Sequence, residues 1–199
     1  MKHWNLFPIL IGSFSLFASF ADPSPRLKKI FNGRDLKGWT VSQGPDQWTV
    51  AHRELRVKSN AERKGSILWT EQSYRNFILQ ADFLMGDGTV DSGFFLRSEK
   101  DQIQIGISGS LKRDLTASPY IPGKGYPVEA KVAGILKANA WNTMQIRLRG
   151  NAYTVWLNGL EVMNYTSTTL PEAGPIGIQL HPKNEMSIRF RNIRLAELP

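Results

Sequence analysis

Short runs of alternating apolar and polar residues, separated by Gly, Pro, Asn and Asp, recur along this chain from residue 47 almost to its end. A period of two places alternate side chains on opposite faces of a β-strand. Asn158-Gly159 lies between two such runs, and this dipeptide is the strongest short-range signal of a β-hairpin. No segment carries apolar residues at helical spacing over several turns, so the pattern predicts an all-β fold.

The alternating runs predict strands at residues 47–50, 54–58, 66–70, 77–85, 92–98, 102–108, 143–149, 153–157, 160–165, 176–181 and 186–195. Many short strands without helices favour two antiparallel sheets packed face to face. The 199 residues suffice for one well-packed domain and are too few for two. We therefore predict a single jelly-roll β-sandwich over residues 29–199.

The first 21 residues have the features of a secretory signal peptide. Lys2 supplies a positive start, residues 6–20 are largely apolar, and Ser19 and Ala21 are small residues of the kind that precede a cleavage site. A membrane anchor is the alternative, but the apolar run is short beside the ~20 residues that span a bilayer. We expect cleavage after Ala21, a linker at residues 22–28, a periplasmic or secreted protein, and no stable membrane anchor after cleavage.

Composition excludes several kinds of site. The chain has no cysteine, which removes disulfides, thiolate metal sites and cysteine nucleophiles. Only His52 and His181 follow the signal segment, so a histidine-rich zinc site is not expected, and the sequence indicates neither a metal nor any other cofactor. The net charge is +8, but Lys and Arg are interleaved with Asp and Glu, so nucleic acid is not the predicted partner. The oligomeric state is not predicted.

Sorting the alternating runs by face separates an apolar set from a polar set. The polar set comprises Gln80, Asp82, Arg97, Gln102, Gln104, Gln179 and His181. An ordinary solvated surface is the simplest explanation, yet amides, Arg and His replace the usual Lys and Glu. Gly106 and Gly177 fall among them and would leave room for a ligand near the backbone. Because amides and guanidinium groups suit sugar hydroxyls, we predict a carbohydrate-binding groove that includes Arg97, Gln102, Gln104 and Gln179.

One connection, residues 109–127, is unusually long and has no strand pattern. Its three prolines and two tyrosines predict an ordered loop, and long loops inside compact domains are usually functional or disordered. We expect it to form a wall of the groove and to supply Lys112, Arg113 and Tyr120 for binding. The chain carries no serine-hydrolase, zinc-protease, phosphate-binding-loop or dinucleotide-binding motif.

Several segments together resemble the family of 3-keto-disaccharide hydrolases. They are IFNGRDLKGW (30–39), DSGFFLR (91–97), WNTMQIRLRGNAYTVWLNG (141–159), GPIGIQLH (174–181) and RFRNIRLAEL (189–198). The resemblance covers nearly the whole chain after the signal segment and implies a concanavalin-A-like sandwich. One strand departs from the family pattern YEVQILD: here it is DQIQIGI, with Gln102 in place of Glu and Ile107 in place of Asp.

The resemblance implies elimination chemistry on a sugar that carries a ketone at C3. The ketone acidifies the C2 proton, a base removes it, the enolate expels the C1 substituent, and water then adds. This route needs one base and one group that stabilises the enolate oxygen, not the two opposed carboxylates of most glycosidases.

The candidate bases are His181, Glu129 and Asp114, and the candidates for enolate stabilisation are Lys112, Arg113 and Arg97. Taken singly, His181 also fits a strand-end histidine bonded to the following loop, and the other residues fit surface charges or ion pairs. The alternative function is a non-catalytic carbohydrate-binding module on the same scaffold, with Trp69 or Trp156 stacking on sugar rings.

Overall fold

The computed structural model describes residues 25–199, so the expected signal peptide lies outside the described residues. Strands alternate with turns throughout the described part. They are β1 (Lys28–Lys29), β2 (Trp39–Val41), β3 (Trp48–Ala51), β4 (Glu54–Lys58), β5 (Ser66–Tyr74), β6 (Phe77–Gly88), β7 (Asp91–Leu96), β8 (Gln102–Gly106), β9 (Pro119–Tyr120), β10 (Asn142–Arg149), β11 (Ala152–Leu157), β12 (Leu160–Thr166), β13 (Gly174–Leu180) and β14 (Met186–Glu197). One 3₁₀ turn, Pro45–Gln47, precedes β3. Within residues 25–199 no helix has the length and apolar character needed to cross a membrane.

The strands form two antiparallel sheets, which confirms the predicted all-β sandwich. The eight-stranded sheet has the order β12-β11-β10-β6-β14-β4-β3, and β1 also pairs with β14. The six-stranded sheet has the order β2-β5-β13-β7-β8-β9. The hairpin predicted at Asn158-Gly159 joins β11 to β12, with Asn158 at φ 51° and Gly159 at φ 86°, as a turn with two left-handed residues requires.

The apolar sets of the alternating strands form the core between the sheets, as their pattern predicts. Leu79 of β6 lies opposite Ile146 of β10 in the eight-stranded sheet, and both are buried. Across the core, Phe94 of β7 meets Phe190 of β14 edge to face, with ring centroids 5.6 Å apart. The apolar face of each sheet packs against the apolar face of the other sheet. The polar residues that alternate with these apolar residues along each strand therefore point outward.

A buried carboxylate ties the two sheets together at one end. Asp101, in the β7–β8 turn, is 0% exposed. Its Oδ2 accepts a hydrogen bond from the Tyr153 hydroxyl of β11 at 3.0 Å, and its Oδ1 accepts one from Thr169 at 2.5 Å. Burial raises the pKa of Tyr153, so this hydroxyl remains a donor. Asp101 therefore links the turn to the far sheet and to the β12–β13 connection.

Candidate functional site

A cavity of about 440 Å³ opens on the outer face of the six-stranded sheet. It is lined by Asp91, Gln102, Gln104, Gln179 and His181 from the strands, by Ser108, Gly109, Ser110, Lys112, Tyr120 and Tyr126 from the following segment, and by Pro182, Lys183 and Asn184. We call it the amide cavity. Of the residues predicted from sequence, it brings together Gln102, Gln104, Lys112, Tyr120, Gln179 and His181.

Strand register places the three glutamines of the amide cavity side by side. Gly93 of β7 lies opposite Gln104 of β8 on one side and Gln179 of β13 on the other. Gln102 donates from Nε2 to Gln179 Oε1 at 2.6 Å. Gln102 and Gln104 are each only 2% exposed, so their amides form a fixed, almost fully packed floor.

Asp91, at the start of β7, is the buried charge of the amide cavity. Its side chain accepts a hydrogen bond at Oδ1 from Gln104 Nε2 at 2.8 Å. Its other oxygen, Oδ2, is buried and makes no hydrogen bond within residues 25–199. Burial raises the pKa of this carboxyl, opposed by its bond with Gln104, by the nearby His181, by the backbone N–H of Gly109 and by Lys112. A buried carboxylate that is satisfied at only one oxygen is costly, and such groups usually have a functional explanation.

His181 follows directly after β13 and stands beside that carboxylate. Its Nδ1 lies 3.7 Å from Asp91 Oδ2 and 2.8 Å from the carbonyl oxygen of Pro182. A carbonyl can only accept, so Nδ1 carries the proton in this contact and Nε2 is left as the basic nitrogen of the neutral ring. The side chain is 34% exposed, which leaves it accessible from the amide cavity.

The segment 109–127 borders the amide cavity, which confirms its predicted placement. Part of it extends the sheet, because Ala117 donates from its backbone N to Gln104 O at 2.8 Å, and β9 pairs with β8. Gly109 passes close to the acid–histidine pair: a Cβ there would lie 3.1 Å from Asp91 Oδ2 and 3.5 Å from His181 Cε1. Tyr126 donates to Gln104 Oε1 at 3.2 Å, and burial raises its pKa to about 12, so it remains a neutral donor.

Arg97 does not line the amide cavity, contrary to its predicted binding role. It is 3% exposed and donates from one guanidinium nitrogen to Pro171 O at 2.9 Å and from the other to Arg75 O. The backbone of Gly174 packs closely against the backbone of Arg97, since a Cβ at Gly174 would clash with the Arg97 carbonyl oxygen. Alternation placed Arg97 outward, but it lies beyond the last residue of β7 with φ 62°, where the strand pattern no longer holds.

Three further predicted residues gather at a different cavity, of about 360 Å³. Glu129 forms a two-point ion pair with Arg113, one hydrogen bond of which is 2.7 Å long, and both side chains are exposed. Asp114 lies in the same cavity, where its Oδ1 accepts from the Thr116 backbone N at 2.8 Å. Glu129, Asp114 and Arg113 are thus separated from His181, and their bonds are those of local structural pairs.

The polar residues that were predicted to share one face lie on two different sheets. Gln80 and Asp82 lie on β6, so they project from the outer face of the other sheet. The room predicted beside the two glycines is filled: a Cβ at Gly177 would lie 2.6 Å from the Trp69 ring, and one at Gly106 would lie 2.2 Å from the Val90 carbonyl oxygen. Trp69 itself stacks on Phe95 at 5.7 Å between ring centroids.

Asp91 is the site residue that sequence reasoning missed. The alternation that sorted Phe94 and Leu96 inward also places Asp91, Gly93 and Phe95 on the outer face, so the signal was present. It was overlooked because the predicted strand began one residue later, at Ser92. Within the described residues no three His, Asp or Glu side chains lie close enough together to hold a metal ion.

Comparison with known proteins places this chain in a family. Residues 26–196 match the model of the 3-keto-alpha-glucoside-1,2-lyase-like domain. A proposed glycosyl hydrolase from Parabacteroides distasonis has 24% identity and a TM-score of 0.65, covering 87% of this chain and 100% of that one. The carbohydrate-binding module CBM66 from Bacillus subtilis has 14% identity and a TM-score of 0.53, covering 78% and 93%. A comparison with curated proteins gave no match.

Proposed function

The chain belongs to the 3-keto-alpha-glucoside-1,2-lyase-like domain family, and on that premise we propose that it cleaves 3-keto-glycosides in the amide cavity. The observation that supports this most directly is His181 beside the buried carboxylate of Asp91 in a cavity whose other polar lining residues are amides, hydroxyls and two lysines. Elimination needs one base, for which His181 is the accessible candidate, whereas the opposed carboxylate pair of ordinary glycosidases is not found among the lining residues.

In the proposed reaction, His181 Nε2 removes the proton from C2 of the sugar. The electron pair of the C2–H bond forms an enolate, with the negative charge on the C3 oxygen. The enolate then expels the C1 substituent, which leaves with a proton returned from the His181 imidazolium. Adding water across the new C1–C2 double bond, with hydroxyl to C1 and a proton to C2, completes a net hydrolysis.

Asp91 and Lys112 stabilise the two charges that develop during the proposed reaction, on the imidazolium and on the enolate oxygen. An opposite charge within about 4–6 Å favours the charged form of a group, so the ionised Asp91 stabilises the imidazolium that forms at His181, 3.7 Å away. Lys112 lines the same cavity, as does Lys183, and supplies a cation for the enolate oxygen. Gln102 and Gln179, which are bonded to each other, can each exchange that bond for a sugar hydroxyl.

The test of the proposed function compares a 3-keto-glycoside with the same glycoside left unoxidised. We expect release of the aglycone from the 3-keto form alone, because only its C2 proton is acidic. In heavy water, the recovered 3-keto substrate should gain deuterium at C2, as measured by mass spectrometry and NMR. Equal release from both glycosides would refute the mechanism. Saturable binding of the sugar without release or deuterium uptake would instead identify a carbohydrate-binding module.

Asp91→Asn should separate activity from stability. The folded-state pKa of Asp91 is raised, so its contribution to stability is complete below the unfolded pKa and is lost as pH rises through the folded value. At neutral pH the ionised buried carboxylate therefore lowers stability, and the neutral amide should raise the unfolding temperature. Turnover should fall roughly tenfold or more, the factor that corresponds to about 1.4 kcal/mol of lost imidazolium stabilisation.

Thermal unfolding and turnover of both proteins, measured from about pH 2 to pH 8, check the Asp91→Asn prediction, because an unfolded Asp has a pKa of about 3.9. The stability advantage of the variant should disappear at the acidic end, where Asp91 is protonated in both states. A variant that is less stable at neutral pH, with activity reduced in proportion to the folded fraction, would make Asp91 a structural residue.

A further inference from the structure

One row of side chains crosses the outer face of the eight-stranded sheet, on the other side of the sandwich from the amide cavity. Trp156, Gln145, Gln80, Arg194 and Lys29 are successive Cα partners on β11, β10, β6, β14 and β1. With adjacent strands ~4.8 Å apart, the row is about 19 Å long. An aromatic ring thus stands at one end, two amides in the middle and two cations at the other end.

The aromatic end of this row is concave, and among the described residues its two glutamine amides are not used in side-chain hydrogen bonds, whereas Thr143 there donates to Asp82 Oδ1 at 2.7 Å. A cavity of about 320 Å³ is lined by Gln80, Thr143, Gln145, Trp156 and Gly159. Neither glutamine amide makes a side-chain hydrogen bond within residues 25–199, and Arg194 Nε is buried there without a partner. Indole rings supply flat apolar contact, and amides both donate and accept, as sugar hydroxyls do.

Charge gives the row a direction. Glu161 lies opposite Trp156 at the aromatic end, where the Arg147 guanidinium also lies 5.1 Å from the centroid of the Trp156 ring, whereas the far end carries Arg194 and Lys29 and no acid of the row. The same outer face also bears Arg56, Lys58, Arg147, Arg149, Arg189 and Arg191. Its acids are engaged, Glu54 with Arg56 and Arg189, and Asp82 with Arg191. Cations that are scattered along the sequence therefore converge on one face of the fold.

We infer that this row is a second carbohydrate-binding surface, specific for oligosaccharides that carry carboxylate or sulfate groups. A neutral part of the sugar lies against the side of the Trp156 ring that Arg147 leaves open and bonds Gln145 and Gln80, and the anionic group reaches Arg194 and Lys29. The positive charge alone would also be compatible with binding of nucleic acid. The row, however, places a single aromatic ring, free amides and an acid at one end. This arrangement fits a glycan that has a neutral part and an anionic part. The surface is independent of chemistry in the amide cavity.

Calorimetric titration tests the inference with an oligogalacturonate as the carboxylated probe, a sulfated malto-oligosaccharide as the sulfated probe, and the neutral malto-oligosaccharide as their control. We expect binding of one or both anionic probes and at least tenfold weaker binding of the neutral one. Arg194→Gln and Trp156→Ala should each weaken binding about tenfold. Arg149→Gln is the matched control: it removes the same charge from the same face, four residues along β10 from Gln145, and should change affinity less than about twofold.

Other outcomes overturn the inference. Equal losses in Arg194→Gln and Arg149→Gln would show diffuse charge attraction without a site. A DNA duplex bound as tightly as the anionic probes at physiological salt would indicate a nucleic-acid surface, and no binding of either anionic probe would exclude the glycan site. Loss of binding in His181→Ala would locate the ligand in the amide cavity, whereas unchanged binding in that variant supports the second surface whether or not the protein cleaves 3-keto-glycosides.

Discussion

Replacement of His181 by alanine is expected to lower turnover of a 3-keto-glycoside by ~10²–10⁴, the range for loss of a positioned acid–base group. His181→Gln should be nearly as damaging, because an amide can occupy the site and hydrogen-bond but cannot take a proton. His181 is partly exposed and, among residues 25–199, makes one side-chain hydrogen bond, to Pro182 O, so the fold should survive both changes. Steady-state rates together with unfolding temperatures measure the effect.

His52→Ala is the matched control for His181, since His52 lies in the exposed turn between β3 and β4, on a different sheet from the amide cavity. It should leave turnover unchanged. Full activity in His181→Ala would remove His181 as the base and leave elimination chemistry itself untouched. Asp91 would then be the remaining base within the amide cavity, since Glu129 and Asp114 lie elsewhere.

Replacement of Asp101 by alanine should cost about 3–6 kcal/mol of unfolding free energy, from two lost hydrogen bonds to a charged group at ~1.5–3 kcal/mol each. The Tyr153 and Thr169 hydroxyls would remain in the buried site without their acceptor. This is a large part of the ~5–15 kcal/mol by which domains are stable. Urea denaturation, followed by tryptophan fluorescence, measures the loss.

Two variants define the role of Asp101 more closely. Asp101→Asn keeps one acceptor oxygen and should cost less than the alanine. Asp87→Ala removes an exposed carboxylate from the end of β6 and should change stability by no more than about 0.5 kcal/mol. If Asp101→Ala loses as little unfolding free energy as Asp87→Ala, the hydrogen bonds of Asp101 to Tyr153 and Thr169 do not stabilise the fold.

The sequence by itself determined the sandwich, because the faces of a strand depend only on local backbone geometry. Period-two alternation placed Leu79 and Ile178 inward, and Asn158-Gly159 set a hairpin register, without reference to distant residues. The strands β1, β2 and β9 were missed since two or three residues cannot display a period. They exist because neighbouring strands supply their hydrogen bonds.

Only the tertiary structure decided which polar residues share a site. Alternation gives a face for each strand but not the sheet to which that strand belongs, so Gln80 was grouped with Gln104 although they lie on opposite sides of the sandwich. It also cannot show that Arg97 turns inward where β7 ends, or that Glu129 pairs with Arg113. The contact between Asp91 and His181 joins residues that are far apart in sequence. It arises because β7 and β13 are neighbours in the six-stranded sheet, and strand pairing is a property of the whole fold.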